Sequence, residues 1–356
     1  MHVHTPSRCH FTRRTFMRLM AAAGLLPGVD SRPTRAQPQA VAPVYSYPMG
    51  FPGRPLGAGL LVRHGYATEN TWYNPGWLHT GEDWYLPEGE TGGLGVYAAA
   101  AGEVVFAGSE YPGLVVIIQH PDGLYSMYGH LDYTLAVEAG QSVARGQLLG
   151  SILTRTDGLA PSHLHFEIRT FFTTPEVNGN APRYGVACGV DCPPGPGYWP
   201  LNATEHPSVI GWRNPTHVIG SRAWPDGLPA DAEVILAQTA PAVVTLWSAP
   251  AGDAGAEAVA EISAITPGAA FSLLEIAAGA EETTGTSAGA YRLWYRIALP
   301  TGAEGWVQAA VPVDYDIGSD GQPSSVRFDF LLAVVANDRR QGEGRGPWPS
   351  APLTAS

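Results

Sequence analysis

The sequence predicts a mainly β protein, and three observations lead there. Glycine (43) and proline (32) make up about a fifth of the 356 residues, a density of helix breakers that excludes coiled coils and long helical bundles. Short apolar runs bounded by turn residues recur along the chain, as in 102–108 (Gly-Glu-Val-Val-Phe-Ala-Gly) and 114–120 (Leu-Val-Val-Ile-Ile-Gln-His), with Pro121-Asp122-Gly123 as a turn. Between Pro43 and Gly220 no ten-residue window carries a helical stripe. Hydrophobic residues at 45% suffice for a core, and the length suggests about two domains.

The N-terminal segment, 1–42, stands apart by charge. All 20 basic residues are arginine, against 32 acids, for a net charge of −12. Arg8, Arg13, Arg14, Arg18, Arg32 and Arg35 share the first 40 residues with one acid, Asp30. The rest of the chain is therefore near −17, with 14 arginines against 31 acids. A net acidity of this size argues against binding nucleic acid through phosphate contacts. The pair Arg13-Arg14, followed by Leu19 to Leu26 and by small residues at Thr34-Arg35-Ala36 or Ala40-Val41-Ala42, has the order of a twin-arginine export signal. The apolar run is too short for a stable membrane span, and no other segment is long enough. Export is expected, to the periplasm, the wall or beyond, with no membrane anchor in the mature chain.

Residues 43–220 read as strands and turns that form the first domain. Leu164 to Ile168 is a further strand, and Val137 to Gly150 a glycine-punctuated stretch. Cys188 and Cys192, in a Pro/Gly-rich insertion, are expected to form a small disulfide loop outside the cytosol. A metal pair is the alternative, but a structural zinc site needs four ligands and nothing nearby completes one. Residues 221–231, with Trp224-Pro-Asp-Gly-Leu-Pro229, read as a linker. Residues 232–316 hold a second set of strands, at Val243–Trp247, Phe271–Ile276, Leu293–Leu299 and Gly305–Gln308. The stretch Leu293 to Val307 resembles the closing hairpin of bacterial SH3-like modules, with an unrelated small β-barrel as the alternative. Residues 317–356 are expected to be a C-terminal tail.

The chemistry lies in the histidines. Six of 11 fall between positions 64 and 165, in the phrases His79-Thr-Gly-Glu-Asp83, Tyr128-Gly-His130-Leu131 and His163-Leu-His165-Phe-Glu-Ile168. In the third, Leu164, Phe166 and Ile168 alternate with His163, His165 and Glu167, so a strand there turns both imidazoles the same way. Such a pair serves as a metal clamp, an acid/base pair or simply a solvated polar edge. His79 and Asp83 lie beside Asn74-Pro75-Gly76 and around Gly81, which places them on a loop or strand end rather than a helix. Imidazole and carboxylate are good zinc ligands, and three protein ligands leave a fourth position for water.

Together the three phrases resemble the lysostaphin/LytM-type zinc metallopeptidases, peptidase family M23, over roughly residues 58 to 220. Val96 to Val104, Val137 to Gly150 and Asn214-Pro-Thr-His-Val-Ile219 match that family's pattern too. The resemblance implies a catalytic antiparallel β domain, a Zn2+ held by His79, Asp83 and His165, and His130 and His163 as catalytic histidines. It also implies an oxyanion-stabilising tyrosine at Tyr73. Glu167 is expected to play a structural or orienting role, with a base as the alternative, and Glu82 to face solvent. His64, His120, His206 and His217 lack partners at ligand spacing and read as structural or surface residues.

The function that follows is an exported zinc endopeptidase, monomeric, cutting peptide bonds in peptidoglycan stem peptides or cross-bridges and held to the wall by a separable SH3-like module. A non-catalytic wall-binding or amidase-activating protein on the same fold is the rival. A lipoyl or biotinyl carrier is excluded because the chain has no lysine to attach the group.

Overall fold

The computed structural model describes residues 44–49, 61–71, 74–86, 89–109, 113–158, 160–172, 198–224, 227–237, 239–251, 253–263, 268–279, 291–317 and 323–333. The export signal, Tyr73 and the Cys188/Cys192 pair lie outside them. The chain is mainly β, with antiparallel sheets, as its breaker content and strand periodicities require.

The first half supplies β1 (Leu61–His64), β2 (Glu69–Asn70), β3 (Asn74–His79), β4 (Glu82–Tyr85), β5 (Gly95–Tyr97), β6 (Gly102–Ser109), β7 (Leu114–Gln119) and β8 (Tyr125–Leu131). It continues with β9 (Ser142–Val143), β10 (Leu148–Ser151), β11 (Leu164–Arg169), β12 (Tyr198–Pro200), α1 (Pro207–Ile210), β13 (Trp212–Arg213) and α2 (Pro215–Ser221). The second half supplies β14 (Glu233–Leu236), β15 (Val244–Trp247), β16 (Ala258–Ile262), β17 (Ala270–Ala278), β18 (Leu293–Ala298), β19 (Glu304–Gln308), β20 (Ala310–Ile317), β21 (Pro323–Phe328) and β22 (Phe330–Ala333).

A ten-stranded sheet runs β20-β21-β1-β4-β11-β8-β7-β6-β9, with β13 also paired to β11. A seven-stranded sheet runs β16-β15-β19-β18-β17-β14-β22. Strands β1, β4, β11 and β8 are mutual neighbours, and their register sets His64 opposite Asp83, Asp83 opposite His165, and His165 opposite Gly129. Residues directly opposite in paired strands point to the same face, so this register lays a polar row across the middle of the sheet.

The other face is core. Trp84 lies edge to face with Phe166 (ring centroids 6.2 Å apart) and 5.3 Å from Phe328, and each is essentially fully buried. Truncating a side chain like Trp84 to alanine costs about 3–5 kcal/mol. The buried cluster continues through Val234, Leu246, Tyr295 and Phe330 of the second sheet, so one core serves both sheets.

Three expectations change. The tail expected from 317 instead holds β21 and β22, because Val326, Phe328, Phe330, Leu331 and Leu332 each bury an apolar side chain. The C-terminal strands also cross between the regions: β20 and β21 add to the first sheet through β1, and β22 to the second through β14. The strand carrying His165 has no solvated face, since all six residues of β11 are buried. The two short helices among the described residues start where sequence chemistry favours it: Pro207 and Pro215 occupy first-turn positions, capped by the side chains of His206 and Asn214. Among the described residues no helix is long and apolar enough to cross a membrane.

Candidate metal centre

The site is built from four neighbouring strands and one strand end. His79 closes β3, where backbone hydrogen bonds from Ala67 N to His79 O (2.8 Å) and from His79 N to Thr68 O (2.7 Å) fix it. Two residues on, Gly81 lets β11 approach: a Cβ there would lie 2.5 Å from the carbonyl oxygen of Phe166. Asp83 follows in β4, opposite His165 in β11.

The three expected ligands converge. His79 Nε2 lies 2.9 Å from His165 Nδ1, His165 Nδ1 lies 3.0 Å from Asp83 Oδ1, and His79 Nε2 lies 3.3 Å from Asp83 Oδ1. Ligand atoms at zinc bond lengths of about 2.0–2.1 Å around a tetrahedron stand about 3.3 Å apart. The triangle therefore fits one face of such a tetrahedron after shifts of a few tenths of an ångström. His79, Asp83 and His165 are the group among the described residues that could hold a metal ion, and all three are buried.

Outer hydrogen bonds aim the ligand nitrogens inward. His79 Nδ1 donates to Gly65 O at 3.3 Å, leaving Nε2 as an acceptor towards the centre. His165 Nε2 donates to Glu167 Oε1 at 2.9 Å, leaving Nδ1 towards the centre. Glu167 is itself held by Arg169 Nη1 (3.1 Å), Trp212 Nε1 (3.1 Å) and Thr80 Oγ1 (3.2 Å). Carboxylate-to-histidine support of this kind fixes ring orientation and raises ligand basicity.

His163 and His130 border the triangle. His163 Nδ1 donates to Pro161 O at 2.8 Å, its Nε2 lies 3.7 Å from Asp83 Oδ1, and its ring stacks on Tyr85 at 4.9 Å. His130 packs edge-on to His163 with centroids 4.6 Å apart. It is aimed there by a bulge: Leu114 faces Leu131 and Val116 faces Tyr128, so Gly129 and His130 share one opposite residue. His130 also adopts φ +61°, one of two non-glycine residues in that region among those described, a conformation that costs energy and recurs at functional sites.

Charge follows from these contacts. Burial works against the Asp83 carboxylate, but His79 and His163 beside it, and hydrogen bonds from His165 and His64, hold its pKa well below the usual range. Burial likewise opposes a charged His165, and hydrogen bonds to Asp83 and Glu167 outweigh it, raising the group to about 9. His163 falls to about 4, because burial and the neighbouring histidines outweigh the attraction of Asp83. His79 is lowered by burial, partly offset by Asp83.

Sequence reasoning missed three participants. His64, read as structural or surface, is buried with Nδ1 3.4 Å from Asp83 Oδ2, because β1 pairs with β4 in a register that no local spacing reveals. Glu82, expected in solvent, is fully buried on the opposite face of β4. Its carboxylate accepts from Trp84 Nε1 (3.0 Å), Thr216 N (3.4 Å) and Tyr291 Oη (2.8 Å). Tyr291 belongs to the second half of the chain, 209 residues away. The remaining described histidines make structural contacts: His120 bonds Ala101 O and Ser126 Oγ, His206 caps α1, and His217 reaches Gly279 O.

Residues 78–181 match the profile of Peptidase family M23. The Cell division protein DipM of Caulobacter vibrioides is 38% identical over 79 residues, 22% of this chain and 13% of that protein. The Murein hydrolase activator NlpD of Escherichia coli is also 38% identical over 79 residues, 22% of this chain and 20% of that one. The chain thus spans a fifth or less of the length of these two relatives. Among solved structures, the antimicrobial peptidase lysostaphin from Staphylococcus simulans aligns over 76% of this chain and 93% of its own, at 14% identity and TM-score 0.29.

Proposed function

We propose that the chain is an exported zinc endopeptidase that hydrolyses peptide bonds in bacterial peptidoglycan, with His79, Asp83 and His165 as ligands. The observation that carries this is the buried triangle of three ligand atoms 2.9–3.3 Å apart, with both imidazoles tied back by hydrogen bonds so that their free nitrogens face one point. The match to the M23 profile and the murein- and division-related names of the relatives support a wall substrate.

Zinc bound there supplies a Lewis acid and a water acidified towards neutral pH. The chain's own groups do the rest. Glu167 and the Gly65 carbonyl hold the ligand imidazoles in a fixed orientation. With its Nδ1 proton committed to Pro161, His163 keeps Nε2 unprotonated at neutral pH, placed to accept a proton from water attacking a peptide carbonyl. His130, against the same ring, is placed to pass a proton to the departing amine. The module at 232–316 is assigned to wall binding, which the chain's acidity leaves to specific contacts rather than to attraction for anionic polymers. Segment 1–42 is assigned to twin-arginine export.

The name of the NlpD relatives favours one second reading, an activator of murein hydrolases. One experiment separates the two. Purified chain is titrated with zinc and incubated with cell-wall suspension, alone and with an amidase. Near-stoichiometric zinc and clearing without the amidase, with His79→Ala and Asp83→Ala losing both, support the peptidase. Clearing that requires the amidase, and is kept by the ligand variants, supports the activator.

A further inference from the structure

We propose that Tyr291, a residue of the second half of the chain, is a positioning residue of the metal centre, so that the second sheet helps to hold the site as well as lying beside it. The inference rests on the reading of His79, Asp83 and His165 as a zinc site. Tyr291 is 1% exposed, and its single hydroxyl makes contacts in two directions. It donates to Glu82 Oε1 at 2.8 Å and accepts from Tyr66 N at 2.9 Å.

Each contact leads to a different ligand. Glu82 immediately precedes Asp83 in β4, so pinning its carboxylate fixes the strand position from which Asp83 projects to the other face. Tyr66 follows Gly65, whose carbonyl accepts the Nδ1–H of His79 at 3.3 Å. Gly65 N in turn donates to Ser324 O at 2.7 Å, a second tie to the C-terminal strands. The fit is close: a Cβ on Gly65 would lie 2.9 Å from the Tyr291 hydroxyl and 3.3 Å from Ser324 O. One phenol oxygen therefore references two of the three ligands to the same point, and neither contact is local in sequence.

Removing that oxygen while keeping the ring tests the idea in the full chain. Tyr291→Phe is expected to weaken zinc binding about 10-fold or more, the range seen when outer partners of metal ligands are lost, and to change the visible absorption of the Co2+-substituted protein. Turnover should fall through kcat with KM little altered. Tyr295→Phe, which removes a hydroxyl from another fully buried tyrosine, four residues on in β18, should leave zinc affinity and the cobalt spectrum unchanged.

Equal zinc affinity and an identical cobalt spectrum in Tyr291→Phe and wild type would overturn the proposal, as would an equal loss in Tyr295→Phe. If Tyr291→Phe does not fold, Gly65→Ala, which presses on the same hydroxyl from the opposite side, is expected to weaken zinc in the same direction; unchanged affinity there also overturns it. A wild-type chain that binds no zinc would instead bring down the zinc reading itself.

Discussion

Glu82 and Asp83 are neighbours in one strand, both buried, yet their carboxylates experience opposite environments. Asp83 points into a ring of histidines that stabilise its charge and hold its pKa well below the usual range. Glu82 points to the core face, where burial dominates and neutral donors from Tyr291, Thr216 and Trp84 only partly compensate, leaving it raised to about 7. Burial alone therefore does not mark a ligand. What separates the two is the company each keeps across the sheet: cation-capable rings on one face, an indole and a phenol on the other.

The sharpest way to break this contrast is to neutralise each carboxylate in turn. Asp83→Asn should weaken zinc binding by more than about 100-fold, beyond the range for outer-partner changes, and abolish wall clearing; zinc titration reads the first and turbidity the second. Glu82→Gln should keep near-stoichiometric zinc, and loss of metal there would erase the distinction between the faces.

Stability against pH sharpens it further. A folded-state pKa raised to about 7 from 4.5 means that the stability linked to Glu82 is fully present below about pH 4.5 and lost as pH rises through 7. The amount is about 3 kcal/mol. Asp83, being depressed, contributes stability above its unfolded pKa of about 3.8 that is lost only as pH falls further. Denaturant unfolding at pH 5 and pH 8 should show a decline in wild type that Glu82→Gln flattens; an unchanged decline would mean that Glu82 is not the group responsible.

Smaller effects test the supports. Glu167→Gln should cost about 10-fold in zinc affinity by loosening His165, and no change in a chelator competition would remove Glu167 from the centre. His130→Gly should lose turnover and lower stability, since loss of a buried ring packed on His163 outweighs the relief of about 1 kcal/mol at φ +61°. A stability gain would mean that the backbone cost outweighs packing of the ring.

Much of the site was legible because its signals are local. The alternation of His163, His165 and Glu167 with Leu164, Phe166 and Ile168 placed His165 and Glu167 on one strand face, and they are 2.9 Å apart. Gly81 between His79 and Asp83 argued against a helix, and its missing Cβ is where β11 fits against the turn. Glu82 was misjudged for the same locality: alternation turns it away from Asp83, but only the packing of Tyr291 and Trp84 shows that the other face is core rather than solvent. His64 gave no signal, since its place beside Asp83 depends on β1 joining β4 after a register shift. Nor did the strands at 323–328 and 330–333 announce that they would close both sheets.

The region 232–316 was expected to be a separable module, a natural reading of a linker followed by a new set of strands. Yet β20 and β21 extend the first sheet, and Tyr291 reaches Glu82. Deleting 232–316 removes Tyr291 and nearly all of β20 along with any wall-binding surface, so such a deletion cannot isolate targeting from catalysis.

By itself the sequence determined the β class, the charge separation between the arginine-rich start and the acidic remainder, and the histidine and aspartate phrases that supply the candidate ligands. These are properties of composition and of spacing along one strand, fixed by backbone periodicity. Only the tertiary structure decided which side chains share a face across four strands, that one carboxylate of a pair is a candidate ligand and its neighbour part of the core, and that the C-terminal strands brace the centre. Those outcomes depend on strand register and on which surfaces pack together, and these bring into contact residues that lie up to 285 positions apart in the chain.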